Sequence, residues 1–398
     1  VAPLRRAMVY LWPYRRTAIG AFLSLVIASL ASLVSPRILQ WGIDEGIRAA
    51  DQSVVWKSAM VLVAVAAGRG IFGFLQSYGS EIASQGVAFD LRNAIYDKLQ
   101  RLSFSYHDQA QTGKLMTRVT SDVEQVRQFV GLGVLQLASA LTLLFGSAIV
   151  LLFVEWRLAL AALSVIPAIF VVLLTFILRI RPRFSVIQKK LGQLNTVLQE
   201  NLAGARVVRA FATEPAESRR YALANQELLD QWLAQIRVFA TSFPFIFFFA
   251  NIGTLIVFWY GGHLVIDGTL TVGALVAFNL YLGLLLMPLF ILGGLAANLS
   301  RAGASAERLF ELIDADIEVH DAPDALTLPK IEGHLLFEGV RFRYAGAESE
   351  VLCGVDFEAL PGETVAILGL TGSGKSTVIN LIPRFYDVTD GRVLVDGH

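Results

Sequence analysis

Charge is what this sequence has least of. Asp, Glu, Lys and Arg make up 17% of its 398 residues while apolar side chains make up 55%, against about 25% and 45–50% in water-soluble domains. Most of the chain therefore does not face water. Neither sign dominates: 33 basic and 33 acidic side chains leave a formal net charge of zero. That balance removes the basic footprint of a nucleic-acid binder, so no nucleic acid is expected among the partners. Cysteine occurs once, at Cys353. A single thiol excludes an internal disulfide framework, fits a reducing compartment, and reads as a small buried apolar side chain rather than a reactive one.

What is present in place of charge is six long apolar runs: Thr17 to Gln40, Ala59 to Tyr78, Phe129 to Val154, Leu158 to Leu178, Val238 to Tyr260 and Val272 to Leu299. Each reaches the ~17–25 residues that cross a hydrocarbon core as a helix. The last four contain no Asp, Glu, Lys or Arg, the first only Arg37 near one end, and the second only Arg69. The first run is too long for the apolar region of a cleaved leader, and five more follow it. The basic residues fall on alternate connections. Arg5, Arg6, Arg15 and Arg16 precede the first span, and Arg92 to Arg127 and Arg179 to Arg237 fill the second and fourth connections. The opposite side has only Arg37, Arg48, Lys57 and Arg157. The asymmetry predicts a multi-pass protein of the cytoplasmic membrane, with both termini and the two long loops in the cytoplasm.

Those loops are more than connections. Gly79 to Leu102 and Arg179 to Ala210 are rich in helix formers and continue the helices before them. At ~1.5 Å per residue they extend ~35–50 Å beyond the bilayer. Their tips fall at Tyr106 to Gly113 and Phe211 to Arg219, where Thr213 is expected to cap a short helix with Pro215 in its first turn. Such levers suit a membrane domain moved by a soluble motor. After the sixth span Arg301 to Ile313 reads as an amphipathic helix, and Pro323 and Pro329 punctuate an acidic linker. From His334 the pattern alternates, predicting strands at Leu335 to Tyr344, Val355 to Ala359, Glu363 to Leu368 and Arg392 to Val395.

Gly369-Leu370-Thr371-Gly372-Ser373-Gly374-Lys375-Ser376 satisfies the phosphate-loop pattern GxxxxGK[ST] between an apolar run and a helical one. The glycines let backbone amides close around phosphate oxygens, and the lysine adds a mobile cation. Ser376 offers a hydroxyl to Mg²⁺ and Thr377 one to a phosphate. The expected ligands are ATP and Mg²⁺.

With these motifs in order the chain resembles the ATP-binding cassette exporters built as half-transporters, in particular the bacterial multidrug and lipid exporters. The likeness rests on the phosphate loop, on Leu381-Ile382-Pro383-Arg384-Phe385-Tyr386-Asp387, and on the loop segments Thr112 to Val123 and Glu200 to Val208. It implies a six-helix membrane domain over 1–320, a linker over 321–333, and the N-terminal part of an α/β nucleotide-binding domain over 334–398. It implies that Tyr106 to Thr112 and Phe211 to Arg219 dock on cassettes, and that Tyr344 stacks on adenine. The bland alternative for Tyr344 is a core aromatic at a strand end. The implied function is ATP-driven export of amphipathic small molecules or lipids by alternating access, as a homo- or heterodimer of half-transporters in contact with membrane lipids. The rival readings are a nucleotide-gated channel or regulatory receptor on the same fold, and a non-hydrolysing subunit of a heterodimer. The family's glutamine loop, signature, Walker B carboxylates and switch histidine do not occur before His398, so this stretch is expected to be a fragment that does not turn over ATP by itself.

Arg69 stands alone. An arginine at a helix centre costs about 2.5–3.5 kcal/mol on insertion scales and is expected to face a polar cavity or a partner, with a substrate contact and a structural pair both open. The aromatic run Phe243, Phe245, Phe247, Phe248 and Phe249 either lines a cavity for amphipathic compounds or packs against lipid and neighbouring helices.

Overall fold

The computed structural model describes residues 2–328 and 330–398, so Pro329 of the expected linker lies outside the described residues. Six helices are long and apolar enough to cross a membrane, as the sequence predicts. In chain order the helices are α1 (Ala2–Val9), α2 (Arg15–Trp41), α3 (Gln52–Arg101), α4 (Phe104–Gln109), α5 (Thr112–Thr117), α6 (Val123–Gln128) and α7 (Val134–Val154). They continue with α8 (Trp156–Leu163), α9 (Ile166–Ala203), α10 (Ala205–Ala210), α11 (Glu214–Ile256), α12 (Gly262–Ile266) and α13 (Val272–Ile313). Strands β1 (Leu335–Phe342) and β2 (Leu352–Ala359), helix α14 (Lys375–Leu381) and strand β3 (Asp390–Val395) complete the chain. The expected helical extensions are present: α3 is a single helix of 50 residues, about 75 Å long at 1.5 Å per residue. The chain divides into two compact units, a helical one of residues 14–83 and 131–300 and a mixed one comprising the stretch to Pro13, 84–130 and 301–398.

In the helical unit α2, α7, α8 and the first part of α13 bury a shared core that includes Leu33, Leu151, Leu158, Phe278 and Tyr281. The buried Tyr281 hydroxyl needs an acceptor and donates to the Leu33 carbonyl at 2.6 Å. A π-turn at Gly42–Ile47 brings Asp44 to the start of α13. Its carboxylate accepts the Gly273 N–H at 2.9 Å and the Thr271 hydroxyl at 2.5 Å, and the Thr271 oxygen in turn accepts the Ala274 N–H at 3.1 Å. Gly273 is required there, because an added Cβ would lie 2.5 Å from the Gln40 carbonyl oxygen.

Helices α9 and α11 pair over Ile187, Leu194 and Leu228. Ion pairs Lys190–Glu227 at 2.6 Å and Arg220–Glu200 at 2.7 Å flank them. At their tip Thr213 does precede α11, with Pro215 in the first turn, but two details differ from expectation. The helix is 43 residues long rather than short. The Thr213 hydroxyl turns back to the Val208 carbonyl at 3.4 Å instead of capping the amides ahead of it, which its ψ of 13°, far from the extended backbone of a capping residue, keeps out of reach.

In the mixed unit Val87, Ala88, Leu91 and Ile95 recur at helical spacing along α3 and are buried, as are Val123 and Val126 of α6 and Ala302, Ala306 and Leu309 of α13. Asp122, itself buried, accepts from the Ser305 hydroxyl at 2.8 Å and from the Arg308 Nε at 2.9 Å. At the end of α13, Asp314 is held by both Nη atoms of Arg6, whose guanidinium also lies 4.2 Å over the Phe310 ring.

The sheet has the order β2-β1-β3, with both pairings antiparallel. Phe337 lies opposite Phe357 on one side and Val393 on the other. Helix α14 contributes Val378 and Leu381 to the core formed with Phe337, Phe342 and Leu352. The expected strand at Glu363 to Leu368 does not form a ladder. A strand exists only where neighbouring backbone groups pair with it, and β1, β2 and β3 pair only among themselves. The Leu368 side chain is consequently 92% exposed.

Candidate nucleotide site and its lever

The loop between the apolar run ending at Leu368 and the start of α14 is built on two residues in left-handed backbone, Gly372 at φ +87° and Gly374 at φ +88°. At Gly374 the space as well as the φ demands glycine, since a Cβ would sit 2.8 Å from Leu352 Cδ2. Gly374 is the residue before α14, and no side chain caps the amides that follow. The first-turn N–H groups therefore point at whatever anion the loop receives. Lys375 Nζ donates to the Gly369 carbonyl at 2.9 Å and the Leu370 carbonyl at 2.7 Å, which holds the ammonium over the loop rather than in an ion pair. Ser373 and Ser376 are exposed and Thr371 lies on the exposed outer turn.

Thr377 is buried, and its hydroxyl lies 3.0 Å from that of Tyr344, which follows β1. Tyr344 meets Phe342 and Tyr386 edge-on at ring distances of 4.8 and 5.4 Å. The fold thus brings Tyr344, far upstream in sequence, to the edge of the phosphate loop. A polyphosphate fits this cradle: it is lined by amides and one cation, with glycines where side chains would intrude. For a divalent cation the Ser376 hydroxyl is the exposed oxygen at the head of α14. When bound, the metal would supply charge neutralisation of the phosphate oxygens.

The mixed unit also seats the first lever tip. The stretch expected at Tyr106 to Gly113 is α4, starting two residues earlier at Phe104. The Phe104 ring stacks on Phe385 at 4.3 Å, and the Tyr386 hydroxyl donates to Asp108 at 2.6 Å. Burial, followed by the bond to the Asp108 carboxylate, pushes the Tyr386 phenol well above its ordinary pKa. The residues Phe385 and Tyr386 carry part of the family likeness, but sequence reasoning gave neither a partner. The signal available was an aromatic pair in a polar turn directly after the phosphate-loop helix.

Arg69 lies on an exposed face of α3, and no side chain among the described residues pairs with it. Phe247 and Phe249 line a cavity of about 290 Å³ in the helical unit, together with Asn251, Thr254 and Asn279; Phe245, Phe247 and Phe248 are all exposed.

The family described as ABC transporter transmembrane region matches residues 18–289, and the family described as ABC transporter matches 352–398. The chain belongs to the ABC exporters. Among its relatives an uncharacterized ABC transporter ATP-binding protein of Bacillus subtilis, YknU, is 34% identical over 98% of this chain and 67% of its own length. An ATP-dependent lipid A-core flippase of Syntrophus aciditrophicus is 33% identical over 93% of this chain and 61% of its own. A putative multidrug export ATP-binding/permease protein of Staphylococcus aureus is 31% identical over 99% and 70%. This ABC exporter chain thus spans about two thirds of the length of the curated relatives it matches.

Proposed function

We propose that the intact protein exports amphipathic small molecules or lipids across the cytoplasmic membrane, driven by ATP, as a dimer of half-transporters. The observation that carries this reading is the pairing of a phosphate loop with a lever tip: Asp108 of α4 is bonded to Tyr386, five residues beyond the helix that the loop opens. Residues 1–320 are read as the membrane domain, 321–333 as the linker and 334–398 as the start of the cassette, with both termini in the cytoplasm. In this reading the amides of Gly369, Thr371, Gly372, Ser373 and Gly374 and the Lys375 ammonium receive the phosphates of ATP, Ser376 holds Mg²⁺, Thr377 reaches a phosphate, and Tyr344 lies against adenine.

Nucleotide shifts the membrane helices only by its difference in affinity for their two arrangements. The α4 contact gives that difference a mechanical route. Two further observations support the dimer and the substrate class. Only 6% of the most apolar stretch of α3 is buried, against 17–33% for the other spans, so this stretch finds few neighbours among the described residues. The cavity at Phe247 and Phe249 contains amides and a hydroxyl but no charge, which suits a neutral amphipathic group.

Lys375→Ala in the intact protein tests the reading. It removes the loop's only side-chain cation and is expected to lower ATP-driven uptake into inverted vesicles by about 100-fold or more, with the helices still inserted. Undiminished uptake would overturn the assignment.

A further inference from the structure

A second groove in the helical unit, of about 620 Å³, lies between α2, α7 and the turn that leads into α13. Its walls grade from apolar to polar along one face of α2. Leu30, Val34, Arg37 and Gln40 follow at intervals of three and four residues, the spacing of one helical face. From α7, Val150, Phe153 and Val154 also line the groove, and Thr269 and Thr271 line it from the turn before α13. The distance from Leu30 to Gln40 is ten residues, about 15 Å along the axis.

Among the described residues Arg37 is the only charged one lining this groove. Its Nη1 donates to Gln40 Oε1 at 2.7 Å, which leaves most of the five guanidinium N–H groups available. Three carboxylates at that end of the unit are engaged elsewhere. Asp44 is bonded to Thr271 and the Gly273 amide, Glu45 to the Trp41 indole at 2.6 Å, and Glu155 to the Arg157 amide at 3.3 Å. None of the described carboxylates forms an ion pair with Arg37. A guanidinium held beside apolar walls without a counter-charge calls for an anion, and its fork matches a phosphate by two parallel bonds.

We infer that this groove binds an anionic phospholipid of the surrounding bilayer, its phosphate on Arg37 and an acyl chain along Leu30, Leu33 and Val34. The apolar wall selects a lipid over a free phosphate, and the volume is in the range of ~300–1,000 Å³ that encloses a ligand of drug size or a lipid segment. The binding is separate from nucleotide-driven transport and is read without ATP, so its failure and the failure of the transport reading are distinguishable.

Native mass spectrometry of the intact protein, with phosphatidylglycerol and phosphatidylcholine added in equal amounts, measures the preference. Wild type is expected to retain phosphatidylglycerol about tenfold over phosphatidylcholine, one well-made charged contact. Arg37→Gln should bring the two lipids to parity. Arg37→Lys, which keeps the charge but loses the fork, should leave a preference of about threefold. Val34→Trp, which fills the groove, should lower retention of both lipids. Arg48→Gln changes a basic residue in the turn beyond the groove and should leave the preference intact. The inference is overturned if Arg37→Gln keeps the wild-type preference, or if Arg48→Gln abolishes it equally, the result of diffuse surface charge. It is also overturned if inorganic phosphate displaces the lipid, the result of a free-anion site, or if Val34→Trp changes nothing, the result of a groove covered by a second copy of the chain.

Discussion

Two charged side chains show how differently an arginine is used in the two settings of this chain. Arg6 is bonded to Asp314 and stacked on Phe310, and the guanidinium holds the Asp314 carboxyl below the usual carboxylate range. A carboxyl whose folded pKa is depressed stabilises the fold above its unfolded pKa, and that contribution disappears as pH falls through the folded value. Asp314→Asn is therefore expected to lower the melting temperature of the intact protein at pH 7 and to have a vanishing effect in acid, below the ordinary carboxylate pKa. Melting curves of both proteins across that pH range check this, and an equal deficit at every pH would contradict it. Arg69, in contrast, lies within a span and has no pair among the described residues. The insertion cost of about 2.5–3.5 kcal/mol implies a compensating anion or partner. If the compensation is an anionic substrate, Arg69→Ala should weaken stimulation of ATPase activity by anionic compounds several-fold more than by cationic ones, with Arg69→Lys restoring part of it. Equal losses for matched anionic and cationic compounds, at equal amounts of folded protein, would assign Arg69 to the scaffold.

At the scale of elements the informative one is α4, six residues whose two ends make different contacts: Phe104 stacks on Phe385 and Asp108 accepts from Tyr386. Tyr386→Phe removes one hydrogen bond to a charged acceptor, a loss of about 1.5–3 kcal/mol at the contact, and leaves the phosphate loop untouched. The expected outcome is retained nucleotide binding with a several-fold lower ratio of transported substrate to ATP hydrolysed. An unchanged ratio would mean that this contact does not couple. The elements themselves were largely legible in the sequence, because membrane spans and helical extensions announce themselves by length, composition and 3.6-residue periodicity. The phosphate loop was legible because its glycines and lysine are set by local backbone geometry. Contacts between distant segments were not. Nothing in the local pattern pairs Asp122 with Arg308, 186 residues away, or Asp44 with Gly273, 229 away. The run at Val365 to Leu368 has the composition of a strand, yet composition cannot supply the neighbouring ladder that makes one. Thr213 failed as a cap for a related reason: its position was readable, but its ψ was not.

For the whole molecule the arrangement of basic residues and the exposed apolar tip of the α9–α11 pair bear on one question, which side of the membrane each end of the helical unit faces and what the tip meets there. At that tip Leu202, Val207 and Phe211 are 69%, 61% and 75% exposed. In the proposed function this end lies in the cytoplasm, where large exposed apolar side chains mark a contact surface, and its partner is a cassette. The opposite end, with the turn at Asp51 and Ser53, is then external. Both statements can be read in one experiment on single-cysteine proteins in a Cys353→Ser background, which removes the native thiol, exposed on β2 rather than buried as the sequence suggested. A cysteine at Ser53 is expected to react with a membrane-impermeant maleimide in intact cells, and a cysteine at Phe211 only in inverted vesicles. A photo-crosslinking side chain placed at Phe211 should join two copies of the protein, with the adduct mapping to a cassette. Labelling of Phe211→Cys from outside intact cells would invert the topology, and crosslinks confined to lipid would remove the cassette as the partner of this tip.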